Sequence, residues 1–146
     1  MKEPVRIKKL NANAIVPSYG SAFAAGADLY ACLGVPVVID PGETFLVHTG
    51  IAMEIPEGYA GLIYARSGLA TKKGLAPANK VGVVDSDYRG EIMVPLHNHS
   101  KTAAAIENGE RIAQMILTPF LTADFVESDN LDETDRGEGG FGSTGK

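Results

Sequence analysis

The sequence predicts an all-β domain that contains one short helix. Short apolar runs separated by turn residues extend from residue 5 to residue 126, and almost none has the length or the 3.6-residue period of a long helix. The runs recur roughly every 8 to 12 residues, a spacing that favours a sandwich, a barrel or a jelly roll over a parallel sheet. A chain of 146 residues suits one such domain.

The expected strands are apolar runs of ordinary strand length, bounded by proline, glycine or acidic residues. An early strand surrounds Asp28 within residues 25–31. The others follow in chain order at residues 37–40, 44–49, 51–55, 59–65, 81–85, 91–96 and 111–118.

The one expected helix covers residues 67–73, with the sequence SGLATKK. Ser67 is a good N-cap because its hydroxyl can accept a hydrogen bond from a free N–H of the first turn. Gly74 is a good C-cap because glycine adopts the left-handed conformation without strain.

The composition changes only near the C-terminus. Residues 127–138 are acidic and polar, and five of the nine residues from 137 to 145 are glycine. Such a segment cannot bury enough apolar surface to order itself alone. We therefore expect a core domain over residues 1–127 and a flexible arm over residues 128–146, which stays mobile until something binds it.

Charge and composition exclude several partners. The net charge of -5 argues against binding to nucleic acid, which requires a basic surface to displace counterions. No stretch of 18 consecutive apolar residues occurs, so we expect no membrane partner. The single cysteine, Cys32, cannot close an internal disulfide and suits a reducing compartment, so we expect a cytoplasmic protein.

The glycine-rich terminus, RGEGGFGSTGK, could recognise an anion. Glycines let backbone N–H groups approach phosphate, and the side chains of Arg136, Ser143 and Thr144 add donors. Phe141 could stack on a base. A disordered terminus without a binding role is the equally weighted alternative.

The start of the predicted helix is a second candidate for anion binding. Arg66, Ser67 and Gly68 lie where unpaired N–H groups and the helix dipole favour negative charge. Capping by Ser67 alone is the alternative.

Residues 82–90, GVVDSDYRG, place a carboxylate where an apolar strand ends. Asp85 there could be partly desolvated and could act as a general base. The alternative is that Asp85 and Asp87 only shape the turn.

Two polar residues interrupt apolar strands. Asp28 could approach a metal ion directly or through water, or could make a structural hydrogen bond. Gln114 could bind a ligand or face solvent. His97 and His99 share a strand face, but no third ligand has a convincing spacing, so we interpret them as solvent-facing.

Taken in order, five segments resemble the five motifs of the trimeric dUTPase family. They are AGADLYA at 25–31, ARSGLA at 65–70, GVVDSDYRG at 82–90, GERIAQMI at 109–116 and RGEGGFGSTG at 136–145. Each motif alone is weak or moderate, but five in the correct order and spacing are highly specific. The resemblance implies a jelly roll of the β-clip type and a homotrimer whose active sites are shared between subunits.

The resemblance also implies an activity, the hydrolysis of dUTP to dUMP and pyrophosphate with Mg²⁺. In that comparison Asp85 activates the attacking water, and Asp28 contacts the metal through water. Tyr88 packs on the deoxyribose, while Asn79 with the backbone of Gly82 and Val83 faces uracil. The remaining positions contact phosphate or cover the base: Arg66, Ser67, Gly68 and Gln114 in the core, and Arg136, Phe141, Gly142, Ser143 and Thr144 in the arm.

Two other functions are compatible with this nucleotide-binding pattern. A dCTP deaminase resembles this family in fold and nucleotide, and it would release ammonia from dCTP. A nucleotide-sensing module would bind dUTP without releasing pyrophosphate. The presence of Asp85, Tyr88 and the glycine-rich terminus favours the hydrolase.

Overall fold

A computed structural model describes residues 2–143 and residue 145. The described part contains one helix, α1 (Ser67–Lys73), and eleven strands. The strands are β1 (Arg6–Lys9), β2 (Ser18–Tyr19), β3 (Ala27–Tyr30), β4 (Val37–Ile39), β5 (Thr44–Glu54), β6 (Tyr59–Tyr64), β7 (Leu75–Pro77), β8 (Gly82–Val84), β9 (Glu91–Asn98), β10 (Ala104–Ile106) and β11 (Arg111–Pro119). The predicted all-β architecture with one short helix is confirmed.

The strands form two large antiparallel sheets and a small ribbon. One sheet has the order β1-β5-β9-β7, the other has the order β2-β3-β11-β6-β8, and β10 pairs with β4. Strand β9 alternates strictly, with Ile92, Val94 and Leu96 buried and their neighbours partly exposed. This period of two is what a strand with one face on a core requires. Buried side chains from both large sheets form one hydrophobic cluster.

Strand β5 is longer than the sequence predicts. The expected strands at 44–49 and 51–55 are one strand, and Gly50 within it has a φ of 69°. The register with β9 shifts between His48 and Ala52, which indicates a β-bulge. The glycine therefore bends the strand and does not end it.

The expectation of a buried strand before Asp85 is wrong for the single chain. Strand β8 lies at the edge of its sheet and pairs only with β6. Val83 in this strand is 64% exposed.

The ends of the helix differ in how well the sequence predicts them. Gly74 has a φ of 67° and its N–H donates to Ala70 O and Leu69 O, so the predicted C-cap is confirmed. The N-cap prediction is wrong, because Arg66 occupies that position in an extended conformation without a side-chain capping bond. Ser67 is the first helical residue.

From Phe120 to Ser143 the described chain forms no helix or strand. Apolar side chains in this segment face solvent, and Phe125 is 94% exposed. Among the described residues, no helix is both long and apolar enough to cross a membrane.

Candidate active site

One candidate site is a cleft of about 380 Å³ around Asp28. We call it the Asp28 cleft; it is lined by Gly20, Ser21, Ala24, Gly26, Asp28, Arg66, Ser67, Arg111 and Gln114. Strand β11 pairs with both β3 and β6, and this places Gln114 between Asp28 and Tyr64. Strand β6 then delivers Arg66 to the same end of the sheet.

The Asp28 carboxylate is buried and meets two cations. Arg66 Nε donates to Asp28 Oδ1 at 2.8 Å, and Arg111 Nη1 lies 3.5 Å from Asp28 Oδ2. The Asp28 side chain is only 12% exposed, whereas the Arg111 side chain is 51% exposed. Two guanidinium groups on one carboxylate leave a net positive charge, which suits an anionic ligand.

The Gln114 side chain is held by the backbone of the residue directly after strand β6. Its Nε2 donates to Ala65 O at 2.9 Å, so the amide is held inside the sheet end and is not a solvated surface group. Gly26 provides the space, because a Cβ at position 26 would overlap the Gln114 side chain. The Gln114 oxygen therefore faces Gly26 in a defined orientation.

A second candidate site is a cleft of about 260 Å³ beside the edge strand β8. We call it the Asp85 cleft; it is lined by Leu46, Ile63, Asn79, Gly82, Val83, Val84, Asp85, Tyr88, Glu91, Ile92 and Met93. Asn79 reaches it from a tight turn, in which Val81 N donates to Asn79 O at 2.7 Å and Lys80 has a φ of 65°.

Asp85 lies directly after β8, as the sequence predicts, and its side chain is exposed. The expected partial desolvation is therefore absent in the single chain. The cause is the edge position of β8, which leaves the outer side of the cleft uncovered. The turn after Asp85 is closed by a Tyr88 N–H that donates to Asp85 O at 3.2 Å.

Tyr88 returns toward the start of β9. Its hydroxyl donates to Glu91 O at 2.8 Å. The Glu91 carboxylate accepts a hydrogen bond from the N–H of Gly50 at 2.8 Å and lies 2.8 Å from His48 Nδ1. The bulge in β5 thus anchors the residue that holds the tyrosine.

A comparison with known protein families decides what these two clefts belong to. The dUTPase family model matches residues 12–145, which include all five motif segments and both clefts. The chain belongs to the dUTPase family. The resemblance seen in the sequence is confirmed.

Similar proteins cover nearly the whole dUTPase chain. The Deoxyuridine 5'-triphosphate nucleotidohydrolase of Nautilia profundicola is 50% identical over 142 residues, 97% of this chain and 99% of that protein. The protein of the same name from Hydrogenobaculum sp. is 52% identical over 139 residues, 95% of this chain and 96% of that protein. The structure of Staphylococcus bacteriophage 80alpha dUTPase with dUPNHPP has a TM-score of 0.89 and 28% identity, and covers 99% of this chain and 100% of that chain. The dUTPase-like jelly roll is confirmed.

The structure divides the predicted dUTPase residues between two clefts that share no lining residue. Gly68 follows Ser67 in the first turn of α1. The described arm residues line neither cleft. Arg136 instead donates from Nε to Gly139 O at 2.7 Å, Phe141 is fully exposed, and Gly142 and Ser143 are exposed. Thr144 lies outside the described residues.

Sequence reasoning missed Arg111, although it lies in the GERIAQMI segment. Residues three apart on a regular strand point to opposite faces, so Arg111 and Gln114 are expected on different sides. A register shift between Arg111 and Ala113 marks a β-bulge, which turns both side chains into the Asp28 cleft. The available signal was an arginine three residues before Gln114, which could add to the positive charge of Arg66 at a phosphate site.

A larger cleft, about 720 Å³, lies elsewhere and contains none of the predicted site residues. Its lining includes Arg6 and Glu54, which already pair with each other at 2.5 Å. We assign the candidate active site to the two smaller clefts because their polar groups converge.

The two histidines considered as metal ligands, His97 and His99, lie in neither cleft. The His97 and His99 rings contact at a centroid distance of 4.5 Å, and His97 Nδ1 is 2.8 Å from Thr44 Oγ1. Within the described ranges, no three His, Cys, Asp or Glu side chains are grouped to hold a metal ion. Partial desolvation, together with the positive charges of His97 and Lys80, lowers the pKa of His99 below its ordinary value.

Proposed function

We propose that this chain hydrolyses dUTP to dUMP and pyrophosphate. One observation carries the proposal: a chain of the dUTPase family presents a cationic cleft suited to phosphate and a separate cleft suited to a nucleoside. Relatives that are about half identical are named for the same reaction. This activity would keep uracil out of DNA and supply dUMP for thymidylate synthesis, in the cytoplasm.

The Asp85 cleft would receive deoxyuridine. Strand β8 pairs with β6 on one side only, so within Gly82–Val84 the backbone N–H and C=O groups of alternate residues point to its free edge. These groups, with the Asn79 amide, would read uracil. The Tyr88 ring would pack on the deoxyribose, where a 2′-hydroxyl would clash or remain unpaired.

The Asp28 cleft would receive the triphosphate. Arg66 supplies positive charge, and Ser67 and Gly68 begin a helix whose first N–H groups lack intrahelical partners. Gln114 would complete the set of donors. The net positive charge left by Arg66 and Arg111 around Asp28 supports this assignment.

Asp85 would act as the general base. Its carboxylate would take a proton from water as the water oxygen attacks the α-phosphorus, and pyrophosphate would leave in line. Its position at the end of β8 beside the nucleoside cleft supports this role. Exposure of Asp85 in the single chain implies that a neighbouring subunit and the substrate complete its surroundings.

The residues fit a magnesium ion that is held mainly by the substrate. The described residues provide no cage of three ligands, and both Asp28 oxygens face arginines. Asp28 would therefore contact Mg²⁺ through water. The ion would supply neutralisation of the phosphate charge.

The arm and the trimer would complete the site. We infer that residues 1–127 form the core and residues 128–146 form an arm that closes over a site of another subunit. Arg136, Gly142, Ser143 and Thr144 would meet the γ-phosphate, and Phe141 would cover the base. Exposed apolar side chains beside β8, including Val83 and Leu46, support burial between subunits of a homotrimer.

The test is pyrophosphate release from dUTP, dCTP, dTTP and UTP side by side, with Mg²⁺ and with a chelator. We expect release from dUTP alone, and faster release with Mg²⁺. A protein that leaves dUTP intact with Mg²⁺ present contradicts the proposal. Ammonia released from dCTP would favour a deaminase instead.

A further inference from the structure

Gly90 lies against the ring of Tyr88. A Cβ at position 90 would stand 2.5 Å from Tyr88 Oη, 2.7 Å from Cζ and 3.0 Å from Cε2. The first two distances are shorter than real Cβ contacts, so a side chain at position 90 requires the ring to move. The backbone of Gly90 is not left-handed, because its φ is outside the positive range. Space, and not backbone conformation, therefore requires glycine here.

The acceptor for the tyrosine hydroxyl is itself immobilised. Tyr88 Oη donates to Glu91 O, and Glu91 is the first residue of β9. The Glu91 carboxylate is bound by the Gly50 N–H, and Glu91 pairs with Ala52 across the β5 bulge. The ring is thus fixed by a hydrogen bond at its tip, and this tip occupies the space that a side chain at position 90 would need.

We propose that Gly90 is a specificity-determining positioning residue that holds Tyr88 where the ring excludes a ribonucleotide. The inference rests on the proposed function, in which Tyr88 packs on the deoxyribose. A ring held with its tip beside Gly90 would present a fixed wall to the sugar. A side chain at position 90 displaces the ring, breaks its bond to Glu91 O and leaves the 2′ position without a defined neighbour.

The primary test is the variant Gly90→Ala, assayed for kcat/KM on dUTP and on UTP. We expect the ratio of the two values to fall by roughly tenfold or more, because discrimination against an added hydroxyl depends on a fixed close wall. Gly34→Ala is the matched control, since a Cβ at Gly34 meets no atom within 4 Å and its φ is not positive. This control should keep the ratio of the unmodified chain.

A double-mutant cycle with Tyr88→Ala separates this effect from a general loss of structure. Without the ring, Gly90→Ala should change neither the ratio nor Tm, because the overlapping atoms are gone. If Gly90→Ala alone does not fold, the double variant Tyr88→Ala/Gly90→Ala should fold.

Three outcomes overturn the inference: a folded Gly90→Ala with an unchanged ratio, an equal effect of Gly90→Ala without the ring, or an unfolded double variant. Failure of the unmodified chain to hydrolyse dUTP would instead overturn the proposed function. Normal dUTP hydrolysis together with one of the three outcomes overturns this inference alone.

Discussion

The Asp28 cleft and the Asp85 cleft differ in how complete they are within one chain. The Asp28 cleft is built on inner strands, and its buried carboxylate is already paired with Arg66 and Arg111. The Asp85 cleft is built on an edge strand, and its carboxylate is exposed. Within one chain, the cleft proposed for the phosphates is therefore preorganised, whereas the cleft proposed for the nucleoside is open on its outer side.

Because of this difference, substitutions in the two clefts should affect different quantities, the stability of the fold in one case and the rate of hydrolysis in the other. Removal of Asp28 leaves partly buried arginine charges without their partner whether or not substrate is present, and removal of an exposed carboxylate does not. Substitutions in the Asp28 cleft should therefore weaken the fold, and those at Asp85 should weaken only the chemistry.

The largest expected effect is that of Asp85→Asn. We expect kcat to fall by roughly 10² to 10⁴, the usual contribution of a positioned base, with little change in dUTP binding or Tm. Steady-state pyrophosphate release and thermal melting measure the two quantities. Asp87→Asn, an exposed carboxylate in the same turn, is the matched control and should retain kcat. Unchanged turnover in Asp85→Asn would remove Asp85 from the mechanism.

Asp28→Asn should have the next largest effect, on the free energy of unfolding. Loss of the carboxylate leaves Arg66 without its charged acceptor in a partly buried cleft, at a cost of about 1 to 3 kcal/mol. Urea denaturation at fixed protomer concentration measures this change. Asp40→Asn, at an exposed position, should cost much less. Equal stability of the two variants would contradict the preorganised Asp28 cleft.

Phe141→Ala tests which cleft the arm completes. We expect binding of a non-hydrolysable dUTP analogue to weaken by about 1 to 3 kcal/mol, the usual range for stacking on a base. The affinity for pyrophosphate should not change, because Phe141 would cover the nucleoside side only. Calorimetry with both ligands makes the comparison, and a parallel loss for pyrophosphate would reassign the arm.

His99→Gln should have the smallest effect, and only on stability. The folded pKa of His99 is lowered below its ordinary value of 6.5, so the unfolded chain binds more protons just below that pH. Stability should therefore fall as the pH drops below about 6.5, and less steeply in the variant. Melting temperatures across this range measure the difference. A changed pH profile of kcat would instead connect His99 with one of the clefts.

Much of the fold was predictable because apolar alternation and turn residues determine it locally. The helix end at Gly74 and most of the central strands follow from that pattern. Strands β1, β2, β7 and β10 were missed, although β4 and β8, which are equally short, were expected. Such strands are defined by the partners that pair with them, which a local pattern does not contain.

The sequence predicted which residues line the candidate site, but it did not predict how these residues are arranged in space. The bulge that turns Arg111 toward Asp28 depends on pairing with β3, and the exposure of Asp85 depends on the edge position of β8. The N-cap prediction failed for a related reason. After β6 the chain continues to Arg66, which is extended and pairs with Asp28, so Arg66 and not Ser67 occupies the N-cap. Neither sheet order nor long-range pairing is visible in a single sequence.

In the proposed trimer, each active site would combine the Asp85 cleft of one subunit with the Asp28 cleft of another, because the Asp85 cleft is open on its outer side in the single chain. Mixing two inactive variants, Asp85→Asn and Arg66→Ala, in equal amounts under subunit exchange tests it most directly. Random trimers should recover about a quarter of the unmodified activity, since one site in four then joins two intact clefts. Recovery of no activity, with mixed trimers present, would contradict the claim.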